Sequence, residues 1–174
     1  MGEEIGMGED LELPGRTTVR TPMQWSNERN GGFSTAPEEA LAAPVINEGP
    51  FAYDKINVAR QRQDPASFLN WFERLIWIRR ETPEIGAGEH RFLDTDCNND
   101  ILAQNYRWTD SGVIVLHNLS PEHRSVTVQL DEPLNENAQD ILSDSDYPEP
   151  DPDRNRFELR PFGYRWIRQA GALR

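Results

Sequence analysis

Arg20 is the side chain in this sequence best placed to do chemistry. It stands in Val19-Arg20-Thr21-Pro22-Met23-Gln24-Trp25, which packs a charge, a stiff turn and two large apolar side chains into one short segment. Pro22 fixes its own φ and pushes Thr21 toward an extended backbone, so the guanidinium is offered from an irregular segment and not from a helix. A guanidinium held that way can serve a carboxylate and a hydroxyl together through one rigid fork of donors. If the backbone is extended, Met23 and Trp25 point to one side and Gln24 to the other, where its amide can hydrogen-bond. The plainer reading of the same residues is a solvated surface arginine on a loop tacked down by Trp25. Glu3 and Glu4 are adjacent, so on a strand they face opposite ways and cannot work as a facing carboxyl pair.

Other groups of reactive residue types carry less. Asp94-x-Asp96-x-Asn98 and Asp151-x-Asp153-x-Asn155 have the alternating oxygens of a calcium loop. Asn99 and Arg156 stand where such a loop needs glycine at its sixth position, and Asn105 and Phe162 where it needs glutamate at its twelfth. His90, His117 and His123 have neither ligand spacing nor a cysteine partner. Cys97 lies in a polar stretch without an adjacent base, which argues against a catalytic thiol. Asn118-Leu119-Ser120 is a glycosylation sequon in form only, for a protein expected in a prokaryotic cytoplasm. These residues give no reason to expect a cofactor or a metal.

Arg20-Thr21-Pro22-Met23-Gln24-Trp25 resembles a signature of the α-amylase superfamily of glycoside hydrolases and transglycosylases, in the branch of oligo-1,6-glucosidases, sucrose isomerases and trehalose synthases. Four further segments agree in order: Gly2-Glu3-Glu4-Ile5-Gly6-Met7; Asn30-Gly31-Gly32-Phe33-Ser34; Asn57-Val58-Ala59-Arg60-Gln61 with Asp64-Pro65-Ala66-Ser67-Phe68-Leu69-Asn70-Trp71; and Pro161-Phe162-Gly163-Tyr164-Arg165-Trp166. The resemblance implies that residues 1–83 are the end of a (β/α)8 barrel: the end of its eighth strand at Gly2–Met7, the Arg20 loop and the last helix. It also implies that Arg20 lines the deepest sugar subsite, paired with an Asp from the N-terminal part of the barrel, and that Glu4 touches substrate. Gln24, with its free amide, is a third candidate contact. The family's nucleophile, acid/base and third carboxylate follow the fourth, fifth and seventh barrel strands, which places them before residue 1. The expectation is therefore a truncated, split or remnant enzyme that is inactive alone. Its partners in the complete enzyme are an α-glucoside such as maltose or trehalose, the N-terminal barrel portion and, as the family allows, calcium.

Length and composition set bounds on this reading. The chain has 174 residues, and a complete β/α barrel takes about 250. A net charge of −12 argues against nucleic acid or an anionic membrane as partner. Lys55 is the one lysine among 18 basic residues facing 30 carboxylates, an arginine-rich acidic balance expected of a halophile. The single cysteine, together with the lack of any apolar run of membrane length or signal peptide, points to a soluble cytoplasmic protein.

The elements that must position these residues follow from periodicity. Residues 1 to about 56, rich in Gly, Pro, Asn and Ser, read as a long functional loop. A helical turn is predicted over 57–63. Asp64 as N-cap and Pro65 at the first helical position then open a helix to about Glu81, and Pro83 stops it. Phe68, Trp71, Phe72, Leu75 and Ile78, flanked by Leu69, Ile76 and Trp77, spread over more than one face of that helix. The period then changes to 2, which puts a domain boundary at 83/84 and a small all-β antiparallel sandwich over 84–174. Strands are predicted at 90–93, 101–108, 112–118, 125–129, 140–142, 156–159 and 163–169, with an acidic, solvated and mobile loop at 143–155. A second functional class stays open, a non-catalytic module whose sandwich binds a partner chain or a polysaccharide.

Overall fold

The computed structural model describes residues 2–97, 99–149 and 155–170. Its contacts divide the chain into two compact units, Met1–Ile76 and Trp77–Arg174. The division falls inside a helix, whereas composition points to 83/84. Among the described residues no helix is long and apolar enough to cross a membrane.

The first unit is loop, as its composition predicts, punctuated by 3-10 turns at Glu3–Ile5, Gly15–Val19, Arg29–Gly32 and Glu38–Ala40. Two α-helices follow, α1 (Val58–Gln63) and α2 (Phe68–Arg80), the second running on past the end of the unit. Glu3–Ile5, expected as the end of a strand, is a 3-10 turn here. A strand needs a neighbour to take its backbone hydrogen bonds, and no other strand occurs among the described residues before Glu89. Ile5, Met23, Val58 and Leu69 form the buried cluster of this unit, with Met7 and Ile56 against it.

Asn57 caps α1 by accepting from the Arg60 amide at 2.8 Å. The α2 start differs from expectation. Asp64 closes a local turn by accepting from the Ala66 amide at 2.9 Å. The helix opens three residues later, where Ser67 Oγ accepts from the Asn70 amide at 3.3 Å and donates to the Gln61 carbonyl at 2.8 Å. Ser67→Ala should therefore cost about 1 kcal/mol, the usual worth of an N-cap. Asp64→Ala should cost less, and urea midpoints of the two variants in the reverse order would put the cap back at Asp64. As expected, α2 is apolar on more faces than it buries: Leu69 and Ile78 are covered, while Phe68, Ile76 and Trp77 remain 45%, 46% and 63% exposed.

The second unit contains the end of α2, a short helix α3 (Pro83–Ala87) and seven strands. Pro83 does more than stop α2, because proline is favoured at the first position of a helix and here opens α3. The strands are β1 (Glu89–Phe92), β2 (Ile101–Trp108), β3 (Ser111–Asn118), β4 (Arg124–Thr127), β5 (Gln139–Ser143), β6 (Arg156–Leu159) and β7 (Tyr164–Ala170). They form an antiparallel five-stranded sheet in the order β1-β2-β3-β7-β5 and a two-stranded sheet β4-β6. The register sets Ala103 opposite Leu116 and Ile114 opposite Ile167. Those side chains, Ile101, and Val126, Val128, Phe157 and Leu159 from the smaller sheet's side make the core between the two layers. Each large apolar side chain buried there contributes about 1.5–3 kcal/mol. The antiparallel strands expected after residue 84 are thus present as two sheets over one core.

Part of the loop expected to be solvated is instead tied to the sandwich through Tyr147. Tyr147 packs against the core, its hydroxyl donates to Asp144 Oδ1 at 2.7 Å, and it accepts from the Arg160 amide at 3.1 Å. Burial pushes the Tyr147 hydroxyl up to about 12, so it stays protonated and able to donate. Residues 150–154 of that loop lie outside the described residues.

Candidate functional site

Arg20 sits at the end of the Gly15–Val19 turn and is exposed, on a segment whose next residues are not. Thr21, Met23 and Gln24 are buried, and Pro22 with them. The brace is largely backbone. The first amides of α1 lack partners inside their own helix, and those of Val58 and Ala59 donate to the Gln24 and Trp25 carbonyls at 3.0 and 2.9 Å. On the other side, Asn30, Gly31 and Gly32 take positive φ of 56°, 66° and 70° and reverse the chain. That turn brings the Gly31 carbonyl to the Trp25 and Ser26 amides at 2.7 and 2.9 Å. A Cβ on Gly32 would lie 2.4 Å from Ser26 Oγ, so the left-handed turn needs glycine there on two counts.

The guanidinium of Arg20 makes no hydrogen bond or ion pair among the described residues, although the chain it stands on is pinned. An arginine with no partner inside its own unit, offered from a fixed backbone, can meet an external carboxylate or hydroxyl without reorganising its base. Glu4 is half-buried in the Glu3–Ile5 turn. That turn is tied down by Gln61, whose Nε2 donates to the Ile5 carbonyl at 2.7 Å and whose Oε1 accepts from the Leu69 amide at 2.9 Å. Ile5 and Met23 share one cluster, so the Glu4 turn and the Arg20 segment rest on the same support.

Two expectations about this segment change. Gln24 is fully buried and works as a brace, its Nε2 donating to the Phe51 and Ile56 carbonyls, so it presents nothing to a ligand. Its Oε1 has no hydrogen-bond partner. Met23 and Trp25 do not share a side: Met23 is in the cluster and Trp25 is 50% exposed. The Gln24 and Trp25 carbonyls both accept from the first amides of α1, and the alternation that holds on a strand fails. Trp25 is therefore not packed under the loop.

Among the arginine pairs of the second unit that the sequence reading missed, two have one nearly or fully buried member. Arg168 Nε donates to Glu84 Oε1 at 2.7 Å. Arg165 binds Asp140 through two hydrogen bonds of 3.1 and 2.9 Å. The parity of β7 carried a signal for the second, since Arg165 alternates inward with Ile167 and Gln169. Among the described residues no group of acidic, histidine or cysteine side chains is arranged to hold a metal. Asp96 Oδ1 accepts from the Thr127 amide at 2.9 Å, a bond that holds its carboxyl below the ordinary range. Asn98, Asp151 and Asp153 lie outside the described residues. Burial pushes the Cys97 thiol up, away from a reactive thiolate. Burial lowers His117, which in its neutral form can accept from Trp166 Nε1 at 3.4 Å.

The family model for the α-amylase catalytic domain matches residues 2–88, and the chain belongs to the α-amylase family. It is 35% identical to a trehalose synthase of Thermus thermophilus over 94% of this chain and 17% of that protein. It is 36% identical to a trehalose synthase of Pimelobacter sp. over 74% of this chain and 23% of that protein. In structure it is similar to the trehalose-6-phosphate hydrolase of Bacillus licheniformis, with a TM-score of 0.70 and 25% identity over 92% of this chain and 27% of that one. The chain thus spans 17% to 27% of the length of these relatives.

Proposed function

We propose that these residues form the end of the catalytic barrel and the C-terminal sandwich of an enzyme acting on α-glucosidic bonds, of the trehalose synthase kind that interconverts maltose and trehalose. The observation that carries this reading is Arg20, exposed and without a partner on a segment whose neighbours are buried and pinned. In the proposed enzyme its guanidinium holds a carboxylate from the preceding part of the barrel and a hydroxyl of the non-reducing glucose. The Glu4 turn stands on the same cluster and borders the sugar. The chemistry is retaining, through a covalent glucosyl-enzyme, with nucleophile and acid/base supplied by barrel positions that this sequence does not contain.

The 174-residue chain assayed by itself should give no turnover of maltose, trehalose or a nitrophenyl α-glucoside. Glucosyl transfer needs two facing carboxyl groups, and Glu3 and Glu4 are neighbours in one turn. The same chain mixed with a polypeptide carrying the first seven strands of a related barrel should gain activity. Turnover by the chain alone, purified from a host lacking α-glucosidases, would overturn the proposal.

A further inference from the structure

The second unit contains a cavity of about 260 Å³ beside the edge strand β5. Its lining mixes the apolar Leu134, Ala138 and Ile167 with Tyr147, Arg165, Glu136, Asp140 and Glu149. Arg165 is an unusual group to find there, because its side chain is only 3% exposed. Its guanidinium lies between the rings of Tyr147 and Phe157, 4.9 and 5.9 Å from their centres.

Asp140 takes one hydrogen from Nε and one from Nη2, and the Pro148 carbonyl takes one from Nη1 at 3.3 Å. A guanidinium has five N–H groups, so one on each terminal nitrogen is left without an acceptor among the described residues. Buried donors are rarely left unmet, and because Arg165 lines the cavity, a group held there can meet these two. Glu136 and Glu149 are exposed, so the lining offers acceptors as well as donors.

We propose that this cavity binds a neutral, polyhydroxylated ligand of about the size of one sugar residue, independently of the Arg20 segment. Hydroxyl groups both donate and accept, and so satisfy carboxylates and guanidinium N–H groups together, while the C–H face of the ring lies on Leu134, Ala138 and Ile167. An anion is disfavoured, because three carboxylates outnumber one guanidinium that is already paired. A purely apolar ligand would leave the polar groups desolvated and unpaired.

The full 174-residue chain, labelled with nitrogen-15, is titrated with glucose and with maltose and followed by amide chemical shifts. Millimolar sugar should move the amides of Ala138, Gln139 and Ile167. Ala138→Phe, which fills the cavity, should weaken binding at least tenfold. Glu149→Gln, at an exposed position with no packing role, should weaken it several-fold and guards against misfolding of the first variant, which the dispersion of its spectrum also reports. Shifts confined to residues 20–25 would overturn the proposal and favour the Arg20 site as the sugar-binding one. It would also fall if neither sugar moved any amide, if phosphate or butane-1,4-diamine shifted the cavity amides and sugars did not, or if Ala138→Phe, folded, bound as the unaltered chain does.

Discussion

Arg168→Met is expected to destabilise the second unit by about 3 kcal/mol, because it strands a carboxylate in the interior. Glu84 has no exposed surface, and its Oε2 makes no hydrogen bond. Its charge is met by Arg168 Nε at 2.7 Å, and the same guanidinium reaches the Glu81 carbonyl at 3.4 Å, so one side chain holds both α3 and the end of α2 to β7. The Arg168 side chain is 34% exposed, which keeps its own desolvation modest and sets the estimate at the low end of the range for broken buried pairs. Urea denaturation should show the loss as a lower midpoint at unchanged slope. The double variant Glu84→Met/Arg168→Met should recover most of it, since replacing both members of a buried pair by apolar groups is often neutral. A loss under about 1 kcal/mol for the single variant would mean that water reaches Glu84 in solution.

The two halves of the chain differ in how much of this could be read from residues. In the sandwich, alternation fixes which way a side chain points. Val126 and Val128 against Thr127, or Ile114 and Leu116 on β3, announce an inner face, and all seven strands fall within a residue or two of expectation. Arg165 was legible by the same rule, but the rule says only that it faces inward; its partner Asp140 lies 25 residues away on another strand. The first 56 residues have no period to read. Their order comes from contacts between residues far apart in sequence, such as Gln61 with Ile5 across 56 positions and Gln24 with Ile56 across 32. Hence the roles of Gln24 and Trp25 came out reversed, one buried as a brace and the other exposed. The family motif singled out a segment, but a motif does not say which of its side chains hold the loop and which leave it.

Arg20→Lys should lower kcat/KM of the enzyme completed by a matching barrel portion by about 30- to 160-fold. Lysine keeps the charge but loses the planar fork, so of two charge-assisted hydrogen bonds, one to a carboxylate and one to a sugar hydroxyl, only one survives with good geometry. A lost bond to a charged group is worth about 2–3 kcal/mol, and about 1.4 kcal/mol is a factor of ten. The backbone beneath Arg20 is held by Thr21, Met23 and Gln24, all buried, while the guanidinium itself makes no hydrogen bond or ion pair among the described residues. The substitution should therefore leave the melting temperature of the 174-residue chain unchanged, separating a binding effect from a folding one. If the arginine grips the glucose in ground state and transition state alike, KM rises and kcat holds; if its bond tightens as charge develops, kcat falls. A change below threefold in kcat/KM, with the protein folded, would remove Arg20 from the sugar site and return it to the plainer reading of a solvated loop arginine.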